Sequence, residues 1–93
     1  MYRITVRPWA AAQIRRLRRF DAVTILDGLE AYLRDEPERV SRSRIKRLRG
    51  QQQSTYRLRI GEYRVFYDVE ERKVVVNAVL HKRDTATFYR EEQ

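Results

Sequence analysis

Residues 55 to 69 read Thr-Tyr-Arg-Leu-Arg-Ile-Gly-Glu-Tyr-Arg-Val-Phe-Tyr-Asp-Val, and their alternation decides the fold. Successive side chains of a strand point to opposite faces. Counted from Tyr56, the residues Tyr56, Leu58 and Ile60 share one face, and Arg57 and Arg59 share the other. Gly61-Glu62 allows the chain to reverse. On the return, Val65, Tyr67 and Val69 lie together, with Arg64, Phe66 and Asp68 opposite them. A register that aligns the two arginine faces puts Arg57, Arg59 and Arg64 on one patch of sheet.

The sequence on the C-terminal side continues the sheet. Glu70-Glu71-Arg72 reads as a tight turn. Lys73 to Leu80 carries valines at 74, 75, 76 and 79, apolar on both faces, as in a central strand covered on both sides. His81-Lys82-Arg83-Asp84 is a polar break at a sheet edge, and Thr85 to Tyr89 reads as a short terminal helix or turn.

On the N-terminal side the pattern becomes helical. Tyr2 to Val6 alternates as a short strand, and Pro8 stops it in a position suited to the first turn of a helix. From Trp9 to Arg19 the residues Ala10, Ile14 and Leu17 form one face, and Arg15, Arg16, Arg18 and Arg19 make up most of the rest. Asp21 reads as the N-cap of a second helix that buries Ala22, Ile25 or Leu26, Leu29 and Leu33 and ends before Pro37. Gly28 within it marks a close helix–helix approach. Residues 35 to 47 are polar and read as an exposed connection, with Ile45 and Leu48 anchoring its end on the core. Gly50 and the glutamines at 51 to 53 lead into the hairpin.

This order predicts a single α+β domain over residues 1–93. An N-terminal strand and an α-helical hairpin pack on one face of a small twisted antiparallel sheet (β-α-α-β-β-β), with a short C-terminal helix. The other face of the sheet is left partly open, and the hairpin arginines sit there.

Composition narrows the chemistry. With 21 Lys plus Arg against 13 Asp plus Glu, the formal charge is +8, and the positive charge is mostly arginine. Guanidinium is planar, permanently charged and able to hold phosphate through two parallel hydrogen bonds. Such a balance favours a nucleic-acid or acidic-protein partner. There is no cysteine and one histidine, which excludes a thiolate site and a multi-histidine metal site. His81 and Asp84 stand three apart without an evident third ligand. Neither a nucleophilic triad nor a glycine-rich phosphate loop can be assembled. No apolar run approaches the roughly 20 residues of a membrane span, and no signal-peptide core is present, so a cytoplasmic protein is expected. What remains is arginine interleaved with tyrosine on strands. Arginines so mounted can clamp phosphates, and tyrosines can stack on bases. The competing reading is the ordinary solvated face of an antiparallel strand.

Leu48-Arg49-Gly50, Tyr56-Arg57-Leu58-Arg59, Tyr63-Arg64-Val65-Phe66-Tyr67, Val74-Val75-Val76 and Lys82-Arg83, with Tyr89 six residues on, resemble the RelE/ParE superfamily of bacterial and archaeal toxins from toxin–antitoxin pairs. The match is closest to the RelE type and covers nearly the whole chain. The resemblance implies a metal-independent, cofactor-free endoribonuclease that cleaves mRNA in the ribosomal A site. The ribose 2′-hydroxyl attacks the adjacent phosphate, leaving a 2′,3′-cyclic phosphate and a free 5′-hydroxyl. It implies Arg57 and Arg59 as basic residues of the first hairpin strand. Arg64 would stabilise charge on the phosphate, Arg83 would serve the leaving oxygen, and Tyr89 would stack on a base. His81 and Lys82 are possible auxiliaries. Well-known members carry lysine at the positions of Arg57 and Arg59, and arginine hardly gives up its proton. The implied partners are a RelB-like antitoxin, the ribosome with its rRNA, and mRNA. Operator DNA would be reached only through the antitoxin complex, and no membrane is involved. Arg15, Arg16, Arg18, Arg19, Arg42, Arg44, Lys46, Arg47 and Arg49 are candidates for rRNA contact. Two alternatives stay open: a ParE-type poison of DNA gyrase that shares the fold without the nuclease, and an RNA-binding module without chemistry.

Overall fold

The computed structural model describes residues 1–50 and 54–88. The elements follow in the order β1 (Arg3–Val6), α1 (Pro8–Arg15), α2 (Arg19–Leu33), β2 (Ile45–Arg47), β3 (Tyr56–Ile60), β4 (Tyr63–Glu70) and β5 (Lys73–His81). A 3-10 turn (Lys82–Asp84) and a last helical turn, α3 (Thr85–Phe88), close the described chain. The strands form one sheet in the order β1-β5-β4-β3-β2. The α+β arrangement predicted above holds, with two additions. The polar connection contains a strand, β2, which pairs antiparallel with β3. The sheet is also mixed, because β1 runs parallel to β5, with Ile4 opposite Val74 and Val6 opposite Val76. A parallel partner needs a crossover of a dozen or more residues, and here the whole helical pair and hairpin lie between the two strands.

The hairpin register aligns the arginine faces. Tyr56 lies opposite Tyr67, Leu58 opposite Val65, and Arg59 opposite Arg64. Both two-residue turns need a left-handed residue. Gly61 supplies it at φ 57 without a Cβ clash, whereas Glu71 takes φ 57 at the second hairpin.

One face of the sheet carries the main core. Leu58, Val65, Tyr67, Val74 and Val76 are fully buried there against Ala10, Ile14, Ile25, Leu29 and Leu33 of the helices. Each such aliphatic side chain contributes roughly 1.5–3 kcal/mol on burial. The Tyr67 hydroxyl donates to the Pro37 carbonyl oxygen at 2.6 Å, and the Tyr56 ring stacks on the Tyr67 ring at 5.5 Å. Gly28 is buried where α2 crosses β3. A Cβ there would come within 2.5 Å of Ile60 Cδ1, so the close approach is helix to strand rather than helix to helix.

The helix boundaries differ from the sequence pattern. α1 ends at Arg15 and α2 begins at Arg19, with Arg18 in the N-cap position and no side-chain cap. Asp21 lies inside the first turn of α2 and accepts the Tyr63 hydroxyl proton at 3.3 Å, so it ties the helix to β4 instead of capping it. Ile25 faces the core, and Leu26 is exposed. α2 returns along the sheet: the Tyr2 N–H donates to the Arg34 carbonyl oxygen at 2.7 Å, and Arg34 Nη1 donates to the Tyr2 carbonyl oxygen at 3.0 Å.

Candidate functional site

The face away from the helices has a different composition. Pairing brings Lys46 beside Arg57, Arg57 beside Phe66 and Phe66 beside Ala78, and in the next row Arg59 beside Arg64 and Arg64 beside Leu80. Paired residues share a face, so Lys46, Arg57, Arg59 and Arg64 form one cationic field across β2, β3 and β4. Phe66 and Ala78 form a small apolar seam beside it, covered by Leu48 and Leu80. Leu48 thus anchors the end of the connection on this second face, not on the main core.

Two like-charge pairs therefore sit side by side, Lys46 against Arg57 and Arg59 against Arg64. Like charges directly opposite one another destabilise a sheet. No carboxylate is among the pairing partners of these four cations. The Arg57 Nε is buried without a hydrogen-bond acceptor among the described residues. A buried donor left unmatched costs on the order of 1–3 kcal/mol. The Arg64 Nη1 donates to the Gly61 and Tyr63 carbonyl oxygens at 3.0 Å each, which fixes the guanidinium over the hairpin turn. This arrangement suits an anion that comes to lie on the sheet.

Other arginines have internal tasks. Arg44 Nη1 donates to the Arg59 carbonyl oxygen at 2.9 Å, and its guanidinium sits 4.7 Å from the Tyr32 ring centroid. Arg47 lies over Tyr56 and donates to its hydroxyl at 3.1 Å. These contacts bind α2, β2 and β3 together.

The expected C-terminal residues separate. The Lys82 N–H donates to the Glu62 carbonyl oxygen at 2.8 Å, so the 3-10 turn stands at the hairpin end of the sheet. The Lys82 ammonium pairs with Glu62 at 3.1 Å and holds that carboxyl below its usual pKa. His81 accepts the Arg83 N–H at Nδ1, at 3.2 Å, and stands edge-on to Tyr63 at 5.4 Å, so it caps the turn. It pairs with Tyr63, on the helix side of the sheet. Arg83 is exposed and lines a cleft with Gln13 of α1 and Arg16 just past its end. Tyr89 lies outside the described residues.

A polar network on the open face was missed by sequence reasoning. Asp68 accepts the N–H and the hydroxyl of Thr55 at 2.8 Å each, and Asn77 Nδ2 at 2.9 Å. Asn77 also donates to the buried Ser54 hydroxyl at 2.7 Å and accepts from Arg7 Nε at 2.8 Å. Asn77 occupies a bulge, since Phe66 pairs with Ala78 while Tyr67 pairs with Val76. A lone asparagine inside an otherwise apolar strand was the available signal. The network holds β1, β5, β4 and the start of β3 in one row beside the arginines.

Among the described residues, no helix is long and apolar enough to cross a membrane. Residues 4–86 match the family model described as the ParE toxin of type II toxin–antitoxin systems, parDE. No curated protein matches the chain. Three solved structures share its fold. The toxin–antitoxin complex RelBE2 from Mycobacterium tuberculosis aligns at 24% identity and TM-score 0.69, covering 86% of this chain and 96% of that one. The archaeal RelE–RelB complex from Pyrococcus horikoshii OT3 aligns at 19% identity and TM-score 0.69, covering 89% and 97%. The RelB–RelE complex from Methanococcus jannaschii aligns at 15% identity and TM-score 0.61, covering 91% and 98%.

Proposed function

The chain belongs to the ParE toxin family of type II toxin–antitoxin systems, and from that premise we propose that it acts as a RelE-type, ribosome-dependent mRNA endoribonuclease held inactive by a RelB-like antitoxin. The observation that carries this reading is the pair of like-charge cross-strand contacts, Lys46–Arg57 and Arg59–Arg64, on the open face. A sheet selected for stability alone has no use for them, whereas a bound polyanion turns both into favourable contacts.

In this reading a phosphodiester lies over Arg57, Arg59 and Arg64. The adjacent 2′-hydroxyl gives its proton to solvent as it attacks the phosphorus. The bond to the 5′-oxygen breaks and that oxygen takes a proton from solvent, and the products are a 2′,3′-cyclic phosphate and a 5′-hydroxyl. Negative charge gathers on the phosphoryl oxygens in the transition state. Guanidiniums already fixed in position favour it over the ground state. Arg64, tied to the turn carbonyls, is the best fixed of the three. Tyr89 stacks on a base, and Arg83, in the cleft on the helix side of the sheet, is left outside this step. None of these side chains is a good proton acceptor. Asp68 is taken up by three internal hydrogen bonds, and His81 is on the helix side of the sheet. The rate then comes from in-line positioning and charge stabilisation rather than from a general base.

The test incubates purified protein with programmed ribosomes and end-labelled mRNA. Cleavage within the A-site codon is expected, with strong loss in Arg64→Ala. Intact mRNA would overturn the reading. The second reading is a gyrase poison, favoured by the match to the ParE toxin model itself. It predicts trapped DNA cleavage complexes with purified DNA gyrase and intact mRNA on ribosomes.

A further inference from the structure

β1 pairs with only the first part of β5, Lys73–Val76, and stops at Val6. The last part of β5 therefore has no strand on that side, and α1 lies there instead. Gln13 Oε1 accepts the Val79 N–H at 2.8 Å, which both satisfies the open edge and locks α1 against it. Beside this contact a cleft of about 240 Å³ opens, lined by Gln13, Arg16, Tyr63, Val79, His81 and Arg83. We propose that this cleft is a nucleotide subsite for single-stranded RNA, in which Arg16 and Arg83 hold a phosphate and the Tyr63–His81 rings receive a base. The proposal rests on the RNA reading above and adds a second contact region on the opposite side of the sheet.

Three observations carry it. First, the two arginines come from different elements and converge on one cleft, and neither has an acidic partner among the described residues. Four surface cations elsewhere do: Lys82 pairs with Glu62, Arg34 with Glu30, Arg39 with Glu36 and Lys73 with Glu70. Asp84 is the one carboxylate on the lining, against two guanidiniums. Arg18 adds to the same field. Burial and Asp21 raise the pKa of the Tyr63 hydroxyl, while Arg18 and Arg83 both pull it back down. Second, the rings are held in place before any ligand arrives. They stand edge to face at 78°, with the Tyr63 hydroxyl held by Asp21 and His81 Nδ1 held by the Arg83 N–H. Both are half-buried, leaving part of each ring exposed to the cleft. Fixed aromatic surface next to a cation is how single-stranded bases are held without sequence preference. Third, Tyr63 and Arg64 are consecutive in β4 and so face opposite sides. One strand of RNA passing around the hairpin end of the sheet would meet the arginine field and then the cleft.

The test titrates the full-length protein with a single-stranded RNA tetranucleotide and follows the Val79 amide, the Gln13 side-chain amide and the His81 ring by NMR. These signals are expected to shift. Arg16→Ala, which alters an exposed position just past the end of α1, is expected to weaken binding about five- to tenfold and to lower the salt slope by about 0.7, as loss of one phosphate contact on a single strand should. Polyglutamate at equal charge should not displace the RNA. Shifts confined to Lys46, Arg57 and Arg59, an unchanged affinity in Arg16→Ala, or displacement by polyglutamate would each overturn the subsite. Parallel cleavage assays on ribosomes separate the two claims. RNA bound in the cleft without mRNA cleavage overturns the nuclease and leaves the subsite standing. Cleavage with silent cleft signals does the reverse.

Discussion

The two faces of one sheet are built by opposite rules. On the helix side, Leu58, Val65, Tyr67, Val74 and Val76 are fully buried, and Tyr56 and Tyr67 stack. On the other side, the same strands set Lys46 against Arg57 and Arg59 against Arg64, and leave the Arg57 Nε without an acceptor among the described residues. Alternation forces neighbours in sequence to serve these two ends: Leu58 is buried between two arginines of the other face. Stability is concentrated on one face, so the other can carry charge that folding alone would disfavour.

The largest effect should come from the stable face. Leu58→Ala removes a fully buried side chain from the middle of β3. Equilibrium denaturation should show a loss of about 2–5 kcal/mol. If the cost is under about 1 kcal/mol, the division of labour between the faces is wrong.

Arg64→Ala should do the opposite. Loss of a preorganised donor typically costs about 2.7–4 kcal/mol of transition-state stabilisation, so cleavage on ribosomes should fall by roughly 10²–10³-fold. Thermal stability should move little, because Arg64 is only partly buried. A variant that loses stability and activity in parallel would make Arg64 part of the scaffold.

How much of this division was legible in the sequence follows from range. Alternation in Tyr56–Ile60 and Tyr63–Glu70 is local, and a two-residue turn at Gly61-Glu62 leaves little choice of register. The arginine face could therefore be read directly. β2 could not, because three residues, Ile45-Lys46-Arg47, are too few for a periodic signal. Its discovery adds Lys46 to the cationic field. The break between α1 and α2 was read a few residues too late, before Asp21 rather than after Arg15, because the apolar spacing of Ala10, Ile14 and Leu17 continues through it. The surroundings of Arg83 depend on α1, nearly seventy residues away in sequence, and no local pattern encodes that.

Gly28 sharpens the comparison at the helix–sheet contact. Alanine would gain about 0.8–1 kcal/mol in helix propensity. The new Cβ would meet Ile60 Cδ1 at 2.5 Å, and overpacking costs about 1–3 kcal/mol. Gly28→Ala should therefore lose about 1 kcal/mol. Adding Ile60→Val, which removes that methyl, should recover part of it, and a double-mutant cycle measures the coupling. Strictly additive effects would rule out the contact.

Tyr67 tests the polar content of the buried face. Phenylalanine would leave the Pro37 carbonyl without its donor at 2.6 Å, a loss of about 1 kcal/mol. Burial first, then Tyr56, raises the pKa of the Tyr67 hydroxyl in the folded protein. The folded state thus favours the protonated form. This contribution is complete below the ordinary tyrosine pKa of about 10 and is lost as pH rises through the folded value. Wild type should lose stability above pH about 10, and Tyr67→Phe should lose less. Equal alkaline losses would mean that another tyrosine carries the effect.

The smallest effect discriminates most sharply between the faces. Arg59→Gln shortens the side chain by two bonds, leaves a polar end and removes one charge from the Arg59–Arg64 pair. If that pair serves an anion and not the fold, the variant should be more stable than wild type, by roughly 0.2–1 kcal/mol. Arg59 is exposed, so the repulsion is screened, and the gain should vanish in high salt, where the Debye length falls to about 3 Å at 1 M. Polyanion should reverse the order: added RNA should raise the melting temperature of wild type more than that of the variant, because a ligand stabilises the state it binds. A variant less stable than wild type at every salt concentration would make Arg59 a structural residue. The open face would then be an ordinary solvated surface, and the main argument for an anion site would fall with it.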